Sequence, residues 1–158
     1  MTAPAIQLHP SDRATLLSAA TDSSGFELPF VITTISCGFP SPAADYAEER
    51  LNLIKRLVKN PTSTFFAQAH GDSNVDAGIL DGAILVVDRS LAPRHGDIVL
   101  ASVDDEFTCK RLYIKPDGRI RLVPASSDKR YRAIDPGDGQ VVTIFGVVTA
   151  AVNEFRKG

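Results

Sequence analysis

DIVLASVDDEFTCKRLYI, residues 97–114, holds two β-rich runs, 97–103 and 107–114, joined by Val103-Asp104-Asp105-Glu106. Branched and aromatic side chains fit the pleated surface of a strand, and aspartates readily bond their own backbone in tight turns, so this stretch predicts a β-hairpin. Side chains alternate along a strand, which puts Lys110 on one face with Thr108, Leu112 and Ile114 and sends Phe107, Cys109, Arg111 and Tyr113 to the other. The lysine's face is mainly apolar. Alternation alone favours an ordinary solvated strand lysine, because lysine is rarely buried.

Runs of the same kind recur on either side, at 64–69 (TFFAQA), 83–87 (AILVV), 120–123 (IRLV) and 141–148 (VVTIFGVV), and Pro116-Asp117-Gly118 reads as another hairpin turn. Many short strands predict a mostly-β body. One helix is expected over 45–58, where Asp45 and Glu48 form a capping box, Ala47, Leu51, Ile54 and Val58 make an apolar stripe widened by Leu53 and Leu57, and Asn60-Pro61 ends it. This helix is expected to lie on the domain as a lid. The first 42 residues are broken by Pro4, Pro10, Pro29, Pro40 and Pro42 and loosened by Ser23-Ser24-Gly25, with a short helical look only at 11–20. Within them, 28–35 (LPFVITTI) favours an extended strand. The expected organisation is an extended N-terminal arm, residues 1–45, followed by one β domain, residues 46–158.

A chain of 158 residues with 44% hydrophobic content supports one domain with a real core. A formal charge of −2 with no block of like charge gives no basic footprint, so direct nucleic-acid binding is not expected. No apolar run reaches the roughly 18 residues of a membrane span, and the N-terminus lacks the layout of a signal peptide, which makes the cytoplasm the expected location. Cys37 and Cys109 match no zinc pattern and read as reduced thiols. His9, His70 and His95 lack metal-ligand spacing, so no metal and no cofactor is expected.

The chemistry converges on three places. Gly71-Asp72-Ser73 puts a serine after a tight corner, Lys110 supplies an amine on a strand, and Cys37-Gly38 is a small, unhindered peptide bond in the arm. Serine hydroxyls need a base to take their proton, and a lysine amine serves once burial has lowered its pKa. Gly-Asp-Ser is also an ordinary turn, Gly38 an ordinary turn glycine, and Cys37 an ordinary buried thiol. Asp72 points away from its neighbour on an extended chain, so it reads as a turn carboxylate rather than the acid of a triad. Cys37 has no histidine pattern to make it a papain-like nucleophile.

CGFPSPAADY (37–46), GDS (71–73) with DAGILDGAILVVD (76–88), HGDIVLASVDDEFTCK (95–110) and VTIFGVVTAAV (142–152) together resemble, in order, the UmuD proteins of the bacterial SOS response, members of the LexA/UmuD group of self-cleaving Ser-Lys peptidases. The resemblance runs from about residue 30 to about residue 152. It implies a LexA/signal-peptidase-like β-strand catalytic domain, with Ser73 as nucleophile, Lys110 as general base and Cys37-Gly38 as the bond cut. Backbone N–H groups of Ser73 and Asn74 would form the oxyanion hole. The group usually has methionine where this chain has Asn74. A backbone N–H is indifferent to its side chain, so exchanging Asn74 for methionine is expected to change the rate by less than about tenfold.

The same resemblance implies a homodimer, a RecA filament on single-stranded DNA as co-protease, and a UmuC-type Y-family DNA polymerase as the partner of the shortened protein in translesion synthesis. Two other functions fit the sequence: a non-cleaving module that binds or regulates the polymerase, and a fragment related to phage or plasmid repressors.

Overall fold

The computed structural model describes residues 27–31, 35, 37–39, 48–137 and 139–156. Two antiparallel sheets are present among them. The smaller pairs β1 (Glu27–Val31) with β2 (Glu48–Asn52). The larger has six strands in the order β3-β4-β8-β5-β6-β7, where β3 is Thr64–Gln68, β4 Ile84–Asp88, β5 Ile98–Val103, β6 Glu106–Ile114, β7 Ile120–Val123 and β8 Val142–Val152. The mostly-β expectation holds, strand by strand, within a residue or two over most of this body.

The β5–β6 hairpin forms as its sequence predicts. Asp104 and Asp105 both take positive φ, 48° and 68°, the backbone twist that a two-residue hairpin turn requires. Alternation along β5 then feeds two clusters. Val99 and Ala101, with no exposed surface, pack with Leu112 of β6 and Leu122 of β7, while Ile98 and Leu100 pack on the cluster of Ile79, Ala83, Leu85 and Val87.

The long strand β8 joins the two clusters. Its first half pairs with β5 and its second half with β4, and both registers shift near the handover, between Leu100 and Ala101 on one side and Val86 and Val87 on the other. Gly146 sits at that point because nothing larger fits. A β-carbon there would lie 2.8 Å from the Asp88 carbonyl oxygen and 2.8 Å from a Val87 methyl.

The helix expected over 45–58 is corrected by the structure. Residues 48–52 form β2, and the helix, α1, is confined to Leu53–Leu57, with the Asn52 side chain accepting from Lys55 N at 2.9 Å. The apolar stripe follows a strand's period instead of a helix's because β1 offers unpaired backbone groups, and Leu28 faces Leu51 in the ladder that satisfies them. None of its residues is buried, so α1 is not a lid on the core. Asp45, the expected cap, and the helical stretch at 11–20 lie outside the described residues.

Candidate active site

Ser73 lies in the loop between β3 and β4. Gly71 makes the corner at φ 83°, a left-handed conformation that a side chain would resist, and its N–H donates to Asp81 Oδ1 at 2.6 Å. Tyr131 Oη accepts from the N–H of Asp72 at 3.4 Å. Beyond the serine, Val75–Ala77 forms a single 3-10 turn closed by Gly78, and Asp76 N–H is tied to the carbonyl of Ala125 at 2.9 Å. The loop is therefore held from three directions. Among described residues, none accepts a hydrogen bond from the N–H groups of Ser73 or Asn74.

Lys110 reaches this loop from β6. Its Nζ lies 2.9 Å from Ser73 Oγ and 3.1 Å from the carbonyl oxygen of Cys109. Around the pair is a cleft of about 240 Å³ whose lining is part apolar, with Ala67, Ile79, Leu85 and Leu100, and part polar, with Gln68, Asn74 and Thr108. Burial in these surroundings depresses the Lys110 pKa, and the neighbouring Cys109 thiolate would pull it the other way. Burial likewise pushes the Cys109 thiol up to about 11, against the attraction of Lys110. Each charge would favour the other, but desolvation outweighs that attraction for both, so the Lys110 amine gives up its proton more readily than an ordinary lysine and the Cys109 thiol holds its own. Cys109 is thereby an inert wall of the cleft.

Asn74, next to the serine, is only 5% exposed. Its Nδ2 donates to the Cys109 carbonyl at 2.7 Å and lies 3.4 Å from Ser73 Oγ, while its Oδ1 accepts from Ala125 N–H at 3.3 Å. Sequence reasoning gives this position a backbone role and a polar side chain against the substrate wall, and it misses the bonds to Cys109 and Ala125. The signal was present in the departure from methionine, but the partners come from β6 and from the segment after β7, and nothing local names them.

The expected bond, Cys37-Gly38, is exposed, and neither residue lines the cleft. The structure thus brings Ser73, Lys110 and Asn74 together and leaves the arm's bond apart from them. His70 pairs with Asp81 at 3.1 Å and His95 Nδ1 contacts the backbone of Ile114, so neither touches Ser73. Among the described residues no group of three His, Cys, Asp or Glu side chains is placed to hold a metal ion, and no helix is long and apolar enough to cross a membrane.

A serine hydroxyl bonded to a half-buried lysine amine, on an antiparallel β body, is the layout of a serine peptidase that uses lysine where others use histidine. Comparison with known proteins gives the peptidase family. The profile of the Peptidase S24-like family matches residues 29–149. Protein ImpA of Salmonella typhimurium is 41% identical over 147 residues, covering 91% of this chain and 98% of ImpA. Protein MucA of Escherichia coli is 46% identical over 127 residues, 80% of this chain and 85% of MucA. LexA repressor 1 of Geobacter sulfurreducens is 36% identical over 138 residues, 87% of this chain and 66% of the repressor. The chain belongs to the S24-like peptidase family, as a UmuD-type member of its LexA/UmuD group.

Proposed function

We propose that this protein is a self-cleaving serine endopeptidase of the SOS DNA-damage response, which cuts its own Cys37-Gly38 bond and then serves as accessory subunit of a UmuC-type translesion polymerase. The observation that carries the catalytic part is the 2.9 Å contact between Lys110 Nζ and Ser73 Oγ inside a partly apolar cleft. Ser73 Oγ attacks the carbonyl carbon of Cys37 while neutral Lys110 takes the hydroxyl proton. The N–H groups of Ser73 and Asn74, with no acceptor among the described residues, are available to the oxyanion. Collapse breaks the C–N bond, and Lys110 passes its proton to the amine of Gly38. Water then attacks the acyl-serine, again losing a proton to Lys110, and releases residues 1–37 with a new carboxylate on Cys37.

Residues 1–45 act as the arm and 46–158 as the peptidase domain. Because the bond is exposed and does not line the cleft, docking of the arm precedes cleavage, and a RecA filament on single-stranded DNA is the co-protease that favours the docked state. The cut separates β1 from β2. A two-stranded ribbon with no covalent link is marginal in water, so the fragment leaves after cleavage. The functional form is a cytoplasmic homodimer.

Two measurements test this reading. In pure protein, the initial rate of cleavage, followed by mass spectrometry, is expected to rise with pH as Lys110 loses its proton and to level off below the ordinary lysine value of 10.5, because burial lowers the pKa of this amine. A flat profile in folded protein would remove Lys110 from the mechanism. Gly38→Glu is expected to protect the arm, since a bulky charged side chain beside the bond would have to enter a tight, partly apolar cleft, whereas nothing lies within 4 Å of a β-carbon at this position in the undocked arm. Normal production of residues 38–158 by this variant would move the cleavage point elsewhere.

A further inference from the structure

We propose that the side chain of Asn74 is a positioning residue for the dyad: it clamps the Ser73 loop to β6 and shares the Cys109 carbonyl with the Lys110 amine, weakening a bond that would otherwise hold that amine protonated. This rests on the assignment of Ser73 and Lys110 as nucleophile and base. It concerns a position where the chain departs from the methionine usual in its group.

The amide's orientation is forced by its neighbours. Only the NH₂ end can donate to the Cys109 carbonyl, and only the oxygen end can accept from Ala125 N–H. Burying an amide is costly unless its hydrogen bonds are made, and every buried side-chain polar atom among the described residues has a partner. The side chain therefore has one stable pose, and that pose ties three segments together: the nucleophile loop, β6 and the segment after β7.

The consequence for Lys110 follows from the shared acceptor. Cys109 directly precedes the lysine, and its carbonyl lies 3.1 Å from Nζ. A carbonyl that accepts from an ammonium stabilises the charged lysine, which is useless as a base. Asn74 Nδ2 donates to the same oxygen at 2.7 Å, the shorter of the two bonds, so the carbonyl's electron density is shared and its hold on a charged lysine is weaker. The other groups facing the amine do not reverse this effect. Among the cleft's lining residues the titratable side chains besides Lys110 are Cys109, whose thiol stays protonated, and His70, whose side chain is almost wholly exposed; no carboxylate lines it. The same Nδ2 also lies 3.4 Å from Ser73 Oγ, a long second contact between the amide and the nucleophile.

Methionine at this position fills space but donates nothing. Asn74→Met in the full-length chain is expected to slow cleavage about tenfold at pH 7, with the deficit shrinking as pH rises toward 10, because the Lys110 midpoint moves upward. A deficit of the same factor at every pH, or no deficit, would overturn the proposal, since a purely structural clamp does not alter the base's proton affinity. A second readout needs no activity. In the uncut Ser73→Ala background, the ¹³Cε signal of Lys110 is titrated by NMR with and without Asn74→Met, and the midpoint is expected to be higher with it. Asn74→Ala, a truncation that tolerates a tight site, must move the midpoint the same way, and an unmoved midpoint in the folded variant overturns the proposal. If the parent chain fails to cleave at any pH, the dyad assignment falls, and the NMR titration still decides the role of Asn74.

Discussion

Ser73→Ala is expected to leave the arm attached under conditions that convert the parent chain completely, and Lys110→Ala to slow cleavage by at least about a thousandfold, within the range that a positioned general base contributes. Each substitution removes one half of the 2.9 Å contact. Neither side chain belongs to the two buried clusters, so folding is expected to survive. Lys110→Arg should fail as completely as alanine. An arginine keeps its proton throughout the accessible pH range, and its planar head does not replace a compact amine. Mass spectrometry after activation by a RecA filament on single-stranded DNA is the measurement. Normal cleavage by either alanine variant would end the dyad assignment.

The second large effect is structural. Gly146→Ala is expected to destabilise the fold by about 3 kcal/mol, the upper end of what overpacking a tight site costs. The added methyl would overlap the Asp88 carbonyl oxygen, which is fixed in β4, as well as a methyl of Val87. Backbone on that side cannot move without disturbing the handover of β8 from β5 to β4. Denaturant unfolding monitored by circular dichroism checks this result. Unchanged stability would mean that the two halves of the sheet are not held in the described register. Cleavage at low temperature, where the variant stays folded, should persist, because Gly146 is not part of the cleft.

Much of this molecule is local in origin. The 97–114 hairpin is legible because alternation, turn chemistry and strand propensity all agree there, and the structure keeps even the paired positive φ angles at Asp104 and Asp105. The strand carrying Lys110 was also legible, although its cleft is lined by Phe107 and Cys109, which alternation sends to the other face, and Leu112 packs instead with Val99, Ala101 and Leu122. The 48–52 segment was not. Its apolar residues satisfy a helical stripe and a strand ladder equally well, and only the presence of β1, some twenty residues earlier, decides for the strand.

At the site, the sequence by itself determined the chemical inventory: a serine after a glycine corner, one lysine on an apolar strand face, and two cysteines and three histidines without metal spacing. Only the tertiary structure decided which of these groups meet. Ser73 and Lys110 are brought within hydrogen-bonding distance because β6 is in register with β5 and the nucleophile loop is tied down by Asp81, Tyr131 and Ala125, residues whose partners are 10, 59 and 49 positions away in the chain. The same packing makes the Asn74 side chain a buried clamp bonded at both ends. Propensity and periodicity act over a few residues, whereas the proton affinity of a lysine depends on whatever the folded chain places around it.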